Sequence, residues 1–284
     1  MKLRSVTIAL GLIATFPFAA SSAGIAGAGR AFDHVVALKD GRNIALRCGG
    51  KGHFTVLLET GDGGRRAHMA KLFAALAERY RVCDYDRRNM GRSSAAPLPR
   101  EAADLAADLS DALSAAHVRG PYILFGTSMG GLLVRSYAAM HPVAGFVTSN
   151  QPGTSGEWGR HAHPLETPAQ RAQDDAWASG DNNEHIDVND VSRTIDAAGP
   201  PTVPHIVMIS SERYQCAAAG TCGPTYRAFV AASREAALGG TEGRFRTIDG
   251  NHDLYVTNLQ DVVRAIDQVA AAASTGQRKS ALRP

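Results

Sequence analysis

The chain has 284 residues, of which 44% are hydrophobic, 20% charged and 6% aromatic. That suits one large domain with its own core, or at most two small ones, and excludes a disordered chain. There are 30 Lys and Arg against 27 Asp and Glu, and without Lys2 and Arg4 the surplus falls to +1, so no electrostatic footprint for nucleic acid remains.

Residues 1–23 read as a signal peptide. Lys2 and Arg4 form a positive start, Val6 to Ala20 an apolar stretch broken by Thr15 and Pro17, and Ser21-Ser22-Ala23 a cleavage site, with Ala26-Gly27-Ala28 a second candidate. The apolar run is short for a bilayer core about 30 Å thick, and no positive stop-transfer cluster follows it. The expectation is a mature chain 24–284, secreted or periplasmic, with no lasting membrane anchor. Export places Cys48, Cys83, Cys216 and Cys222 in an oxidising compartment, where two disulfides are plausible and three pairings possible. Only five residues separate Cys216 from Cys222, which favours a local loop closure and leaves Cys48 with Cys83. Neither pair has zinc-site spacing, and His161 and His163 read as a solvated loop.

His34 to Lys39 alternates as a strand, Asp40-Gly41 turns the chain, and Asn43 to Cys48 returns beside it. Phe54 to Leu58 suits a buried strand, Met69, Leu72, Phe73 and Leu76 have helical spacing, and Arg81 to Tyr85 is another strand. Residues 101–118 form an amphipathic helix with Leu105, Leu109 and Leu113 on one face. Strand Tyr122 to Phe125 leads through Gly126-Thr127-Ser128 into a helix ending at Met140. Strands follow at Val143 to Thr148 and His205 to Ile209, then helix Tyr226 to Leu238, strand Arg244 to Ile248, and a closing helix marked by Leu259, Val262 and Ile266. The Ala-rich tail 270–284 reads as its frayed end. This alternation predicts a mostly parallel sheet covered by helices on both faces, with the first hairpin at one edge. It breaks once, at about 151–203, in a stretch holding both Trp158 and Trp177. A connection that long predicts a small cap over the carboxyl edge of the sheet, where open α/β sheets bind ligands.

Gly126-Thr127-Ser128-Met129-Gly130 fits Gly-x-Ser-x-Gly, and it lies in the strand–turn–helix setting that the motif needs. A nucleophile must stand proud at a sharp turn, and its neighbours must be small because strand and helix nearly touch. Ser128 at a helix N-terminus aims the Met129 amide at any negative charge formed on a substrate carbonyl. Serine is a poor nucleophile near neutral pH and needs a base. His252, 124 residues downstream between the last strand and last helix, matches the order Ser, acid, His.

With these features the chain resembles the α/β-hydrolase fold superfamily, as a serine esterase-like member, over essentially all of the mature sequence. The resemblance rests on Thr55 to Gly61, Tyr85-Asp86-Arg87-Arg88-Asn89-Met90-Gly91-Arg92-Ser93, the serine elbow and the His252 loop. Asn89 stands where glycine is usual, and Thr60-Gly61 replaces the common His-Gly. The resemblance implies that the backbone amide of Asp62 joins that of Met129 in the oxyanion hole, with the Asp62 side chain turned away. It also puts Cys48 and Cys83 on neighbouring strands. A serine at the elbow argues against the dehalogenase and epoxide-hydrolase branches, which use aspartate there.

The family's acid follows the seventh strand, where Glu212 is the loop's only carboxylate, or in some members the sixth, where Asn150 stands here. Glu212 is therefore the expected acid, holding the far nitrogen of the His252 ring. The implied activity is hydrolysis of carboxylic esters, with a small ester or acyl compound as substrate and no metal or organic cofactor. An aminopeptidase, amidase or acyltransferase of the same fold, or a catalytically inactive ligand-binding relative, are the alternatives.

Overall fold

A computed structural model describes residues 31–215 and 223–281. The signal peptide and the Cys216–Cys222 pairing lie outside the described residues, among which no helix is long and apolar enough to cross a membrane.

The sheet has eight strands: β1 Phe32–Ala37, β2 Asn43–Gly49, β3 Thr55–Glu59, β4 Arg81–Tyr85, β5 Tyr122–Thr127, β6 Gly145–Ser149, β7 His205–Ser210 and β8 Gly243–Ile248. Their order is β1-β2-β4-β3-β5-β6-β7-β8. The β1–β2 hairpin forms the antiparallel edge, β2 pairs antiparallel with β4, and every other pair is parallel. The central strands are buried on both faces, as their unbroken apolar runs require. Cys48 and Cys83 face each other in the β2–β4 register, 4.1 Å apart at Cα, and form a disulfide.

Helices cover both faces. Helix α1 (Ala70–Ala77) packs on one face with the closing helix, while α2 (Ala102–Ala115) and α3 (Met129–Met140) cover the other. The closing helix does not fray at 270: it runs Leu259–Ala281, with Ala270 and Ala273 buried in the core. Small alanines there allow the helix to approach the sheet closely, so Ala270 and Ala273 are packing surface rather than a loose end.

The β6–β7 connection carries three helices, α4 Ser155–His161, α5 Pro168–Ala178 and α6 Val188–Ala198. Thr154 with Glu157, and Thr167 with Gln170, form capping boxes that start α4 and α5. Val188, Val191 and Ile195 turn one face of α6 onto Leu132 and Leu133 of α3. Arg135 of α3 holds Glu157 of α4 in a buried bidentate pair at 2.7 and 2.9 Å. The connection is thereby packed onto the helix that begins at Ser128.

Candidate active site

Ser128 lies between β5 and α3 at φ +53°, ψ −131°, a conformation that L-residues rarely adopt and that lifts the side chain out of the turn. The flanking glycines are required by contact. A Cβ on Gly126 would overlap the Gly130 carbonyl, and one on Gly130 would overlap the Thr60 carbonyl. Gly61 is as constrained from the other side, because its Cβ would sit 3.0 Å from that of Ser128. The turn after β3 that carries Asp62 therefore abuts the elbow. Met129 occupies the first helical position, where its amide has no intrahelical acceptor.

Ser128, Asn150 and His252 line one cavity of about 340 Å³, together with Trp158 and Trp177 from the β6–β7 connection and Phe229 from helix α8, Gly223–Leu238. Trp158 Nε1 donates to Glu166 Oε1 at 2.9 Å and to Asp174 Oδ2 at 3.0 Å. Burial first, and then the adjacent Asp174 carboxylate, push the Glu166 carboxyl above its usual range.

The same architecture recurs in known proteins. A family model described as alpha/beta hydrolase fold matches residues 55–187. The chain has the α/β-hydrolase fold, and its residues 55–187 match that family's model. Similar solved structures include the enol-lactonase of Burkholderia xenovorans LB400, 20% identical with a TM-score of 0.57, covering 84% of this chain and 100% of that one. The esterase RhEst1 of Rhodococcus sp. ECU1013 is 20% identical with a TM-score of 0.56, covering 85% of this chain and 98% of its own. A thermophilic esterase of Thermogutta terrifontis is 16% identical with a TM-score of 0.56, covering 86% and 99%. At such identities the likeness is one of fold. Among curated proteins, "Probable transporter efuK" of Hormonema carpetanum is 31% identical over 88 residues, which is 30% of this chain; the chain spans 13% of that protein's length.

Within this fold the nucleophile and histidine candidates share the cavity, but no hydrogen bond joins Ser128 to His252 among the described residues. Glu212 opens a short helix, α7 Glu212–Gln215, directly after β7, and is exposed. Neither it nor Asp249 nor Asp253 comes within 4.0 Å of a His252 ring nitrogen. Asn150, at the alternative position for the acid, bonds to the backbone of His252 rather than to its ring. Its Nδ2 donates to the backbone carbonyl of His252 at 2.7 Å and to Ser210 Oγ at 2.7 Å, while its Oδ1 accepts from the Ser210 amide. Ser210 Oγ in turn donates to the Asn251 carbonyl at 2.6 Å. Two buried side chains at the ends of β6 and β7 thus anchor the main chain of the histidine loop. Ser210 escaped notice in the sequence, since a serine ending a strand carries no signal of such a role.

The Asp62 side chain does turn aside, its Oδ2 accepting from Asn183 Nδ2 at 2.9 Å. Asn89 tolerates its glycine-like position, at φ +69°, with its own side chain bonded to the backbone of Ala96.

Proposed function

We propose that this chain is an exported serine hydrolase that cleaves carboxylic esters through an acyl-enzyme on Ser128. The observation that carries the reading is the strained Ser128 elbow opening, with His252, into one cavity that also holds Trp158, Trp177 and Phe229. His252 takes the Ser128 proton as Oγ attacks the ester carbonyl, and the amides of Met129 and Asp62 receive the resulting oxyanion. Collapse expels the alcohol, which regains that proton from His252. Water, activated by the same ring, then releases the acid and frees Ser128.

Glu212 is the proposed acid. Its side chain is exposed and must reorient to meet the ring, in keeping with catalytic hydrogen bonds that tighten only when substrate is bound. Among the described residues the cavity walls bear Asp174 and Asp175 and no Lys or Arg, so neutral esters with an aromatic or aliphatic group against the two indoles suit it best.

Ser128→Ala removes one hydroxyl from a turn and should leave the fold intact. It should abolish labelling by a fluorophosphonate probe and hydrolysis of p-nitrophenyl esters. Near wild-type turnover in this variant would overturn the mechanism. A parallel panel of amino-acid anilides separates ester from amide cleavage.

A further inference from the structure

Arg87 is buried beside the candidate active site, and each of its five N–H groups has a protein acceptor. Nε donates to Glu184 Oε2 at 2.7 Å and Nη2 to Glu184 Oε1. Nη1 meets Glu59 and the Thr60 carbonyl, the latter at 3.0 Å, and Nη2 also meets the Gly61 carbonyl at 2.7 Å. The last contact bears on the chemistry. The Gly61 carbonyl and the Asp62 N–H belong to one planar trans peptide and point in opposite directions. Holding the carbonyl therefore aims the amide, and a cation on the oxygen polarises the N–H.

Glu184 completes the arrangement from the β6–β7 connection. Its fork fixes the guanidinium plane, and Oε1 accepts from the Gly63 amide at 2.8 Å, gripping the loop on the far side of Asp62. Asn183 holds the Asp62 carboxylate itself. Glu59 is secured at the core end by the Tyr85 hydroxyl at 2.5 Å.

We propose that Glu184 is a positioning residue for the oxyanion hole, acting through Arg87 and Gly63 to aim the Asp62 amide. The role rests on the hydrolase reading above. It makes the β6–β7 connection part of the catalytic apparatus as well as a wall of the cavity.

The test compares Glu184→Ala and Glu184→Gln by steady-state kinetics on a p-nitrophenyl ester, inhibition by a trifluoromethyl ketone and hydrogen exchange over residues 60–64. Misaiming one donor predicts that Glu184→Ala loses about ten- to a hundredfold in kcat. KM should stay within about twofold, because the ground-state carbonyl uses the donor little. The tetrahedral inhibitor should weaken in parallel with kcat, and exchange over 60–64 should quicken. Glu184→Gln, which keeps an acceptor for the Gly63 amide, should recover much of the loss. Should Glu184→Ala fail to fold, Arg87→Lys carries the same expectation, since an ammonium cannot serve two carboxylates and two carbonyls at once. Wild-type kcat and inhibitor affinity in folded variants overturn the role, as does a loss confined to KM. Unchanged exchange overturns the clamp alone. A wild-type protein without Ser128-dependent turnover overturns the hydrolase reading and the catalytic role together, whatever the exchange shows.

Discussion

A backbone held at φ +53° presents the Ser128 hydroxyl, and small neighbours make that conformation possible by letting strand and helix nearly touch. The chemistry then depends on how the His252 ring is held. Its backbone is anchored by Asn150 and Ser210; among the described residues its ring has no partner, and Glu212 is the proposed charge partner. Glu212→Gln should lower kcat by about two to four orders of magnitude, as loss of a triad acid does elsewhere. Asp249→Asn and Asp253→Asn should change kcat less than about tenfold, being unable to replace it. Steady-state kinetics on the three variants decides; Glu212→Gln within about threefold of wild type leaves a Ser128–His252 dyad.

Glu166 supplies a pH prediction at the same scale. A carboxyl raised above its usual 4.5 by burial and by Asp174 favours folding when protonated. That contribution is complete below the ordinary glutamate range and is lost as pH rises through the higher folded value. Because Trp158 Nε1 donates to this carboxyl, its emission should titrate with a midpoint above 4.5. Glu166→Gln should abolish that transition, and an identical titration in the variant would contradict the assignment.

Among the elements, strands and long helices follow the apolar patterning closely, because one buried face or a fully buried run is enough to specify them. The β6–β7 connection does not. Its Gly, Pro, Asp and Asn content masks three helices, although Thr154-x-x-Glu157 and Thr167-x-x-Gln170 mark the starts of two and Val188, Val191 and Ile195 the inner face of the third. The disulfide belongs to this scale too, since it ties β2 to β4 at facing positions. Joining residues separated by 35 positions should contribute about 3–4 kcal/mol by restricting the unfolded chain. Urea unfolding of the Cys48→Ser, Cys83→Ser protein should show a loss of that order, and an unchanged midpoint would refute it.

For the molecule as a whole, the cavity is bounded by the sheet's carboxyl edge below and the β6–β7 helices above. Its two carboxylates, Asp174 and Asp175, act on any charge carried into it. A single negative charge about 8–10 Å from one carboxylate, at an effective dielectric near 20, is disfavoured by roughly 2 kcal/mol. A p-nitrophenyl hemisuccinate should therefore have kcat/KM at least about tenfold below that of the neutral butyrate, and the gap should narrow as salt rises. Equal values at low salt would remove the carboxylates from substrate selection.

The sequence by itself determined the alternating strands and helices of the main sheet and the Gly126-Thr127-Ser128-Met129-Gly130 turn, and it pointed to the candidates His252 and Asp62 and to Cys48 with Cys83 as one expected pairing. Each rests on periodicity, on a short motif, or on a resemblance carried by contiguous residues. The Arg87 clamp, the Asn150–Ser210 anchor and the Arg135–Glu157 pair were decided only by the tertiary structure. Arg87 and Glu184 are 97 positions apart, and Asn150 and His252 are 102 apart. No local preference encodes such partners. They meet because the parallel sheet brings the ends of β3, β4, β6 and β7 to one edge, where the buried polar groups must find one another once water is excluded.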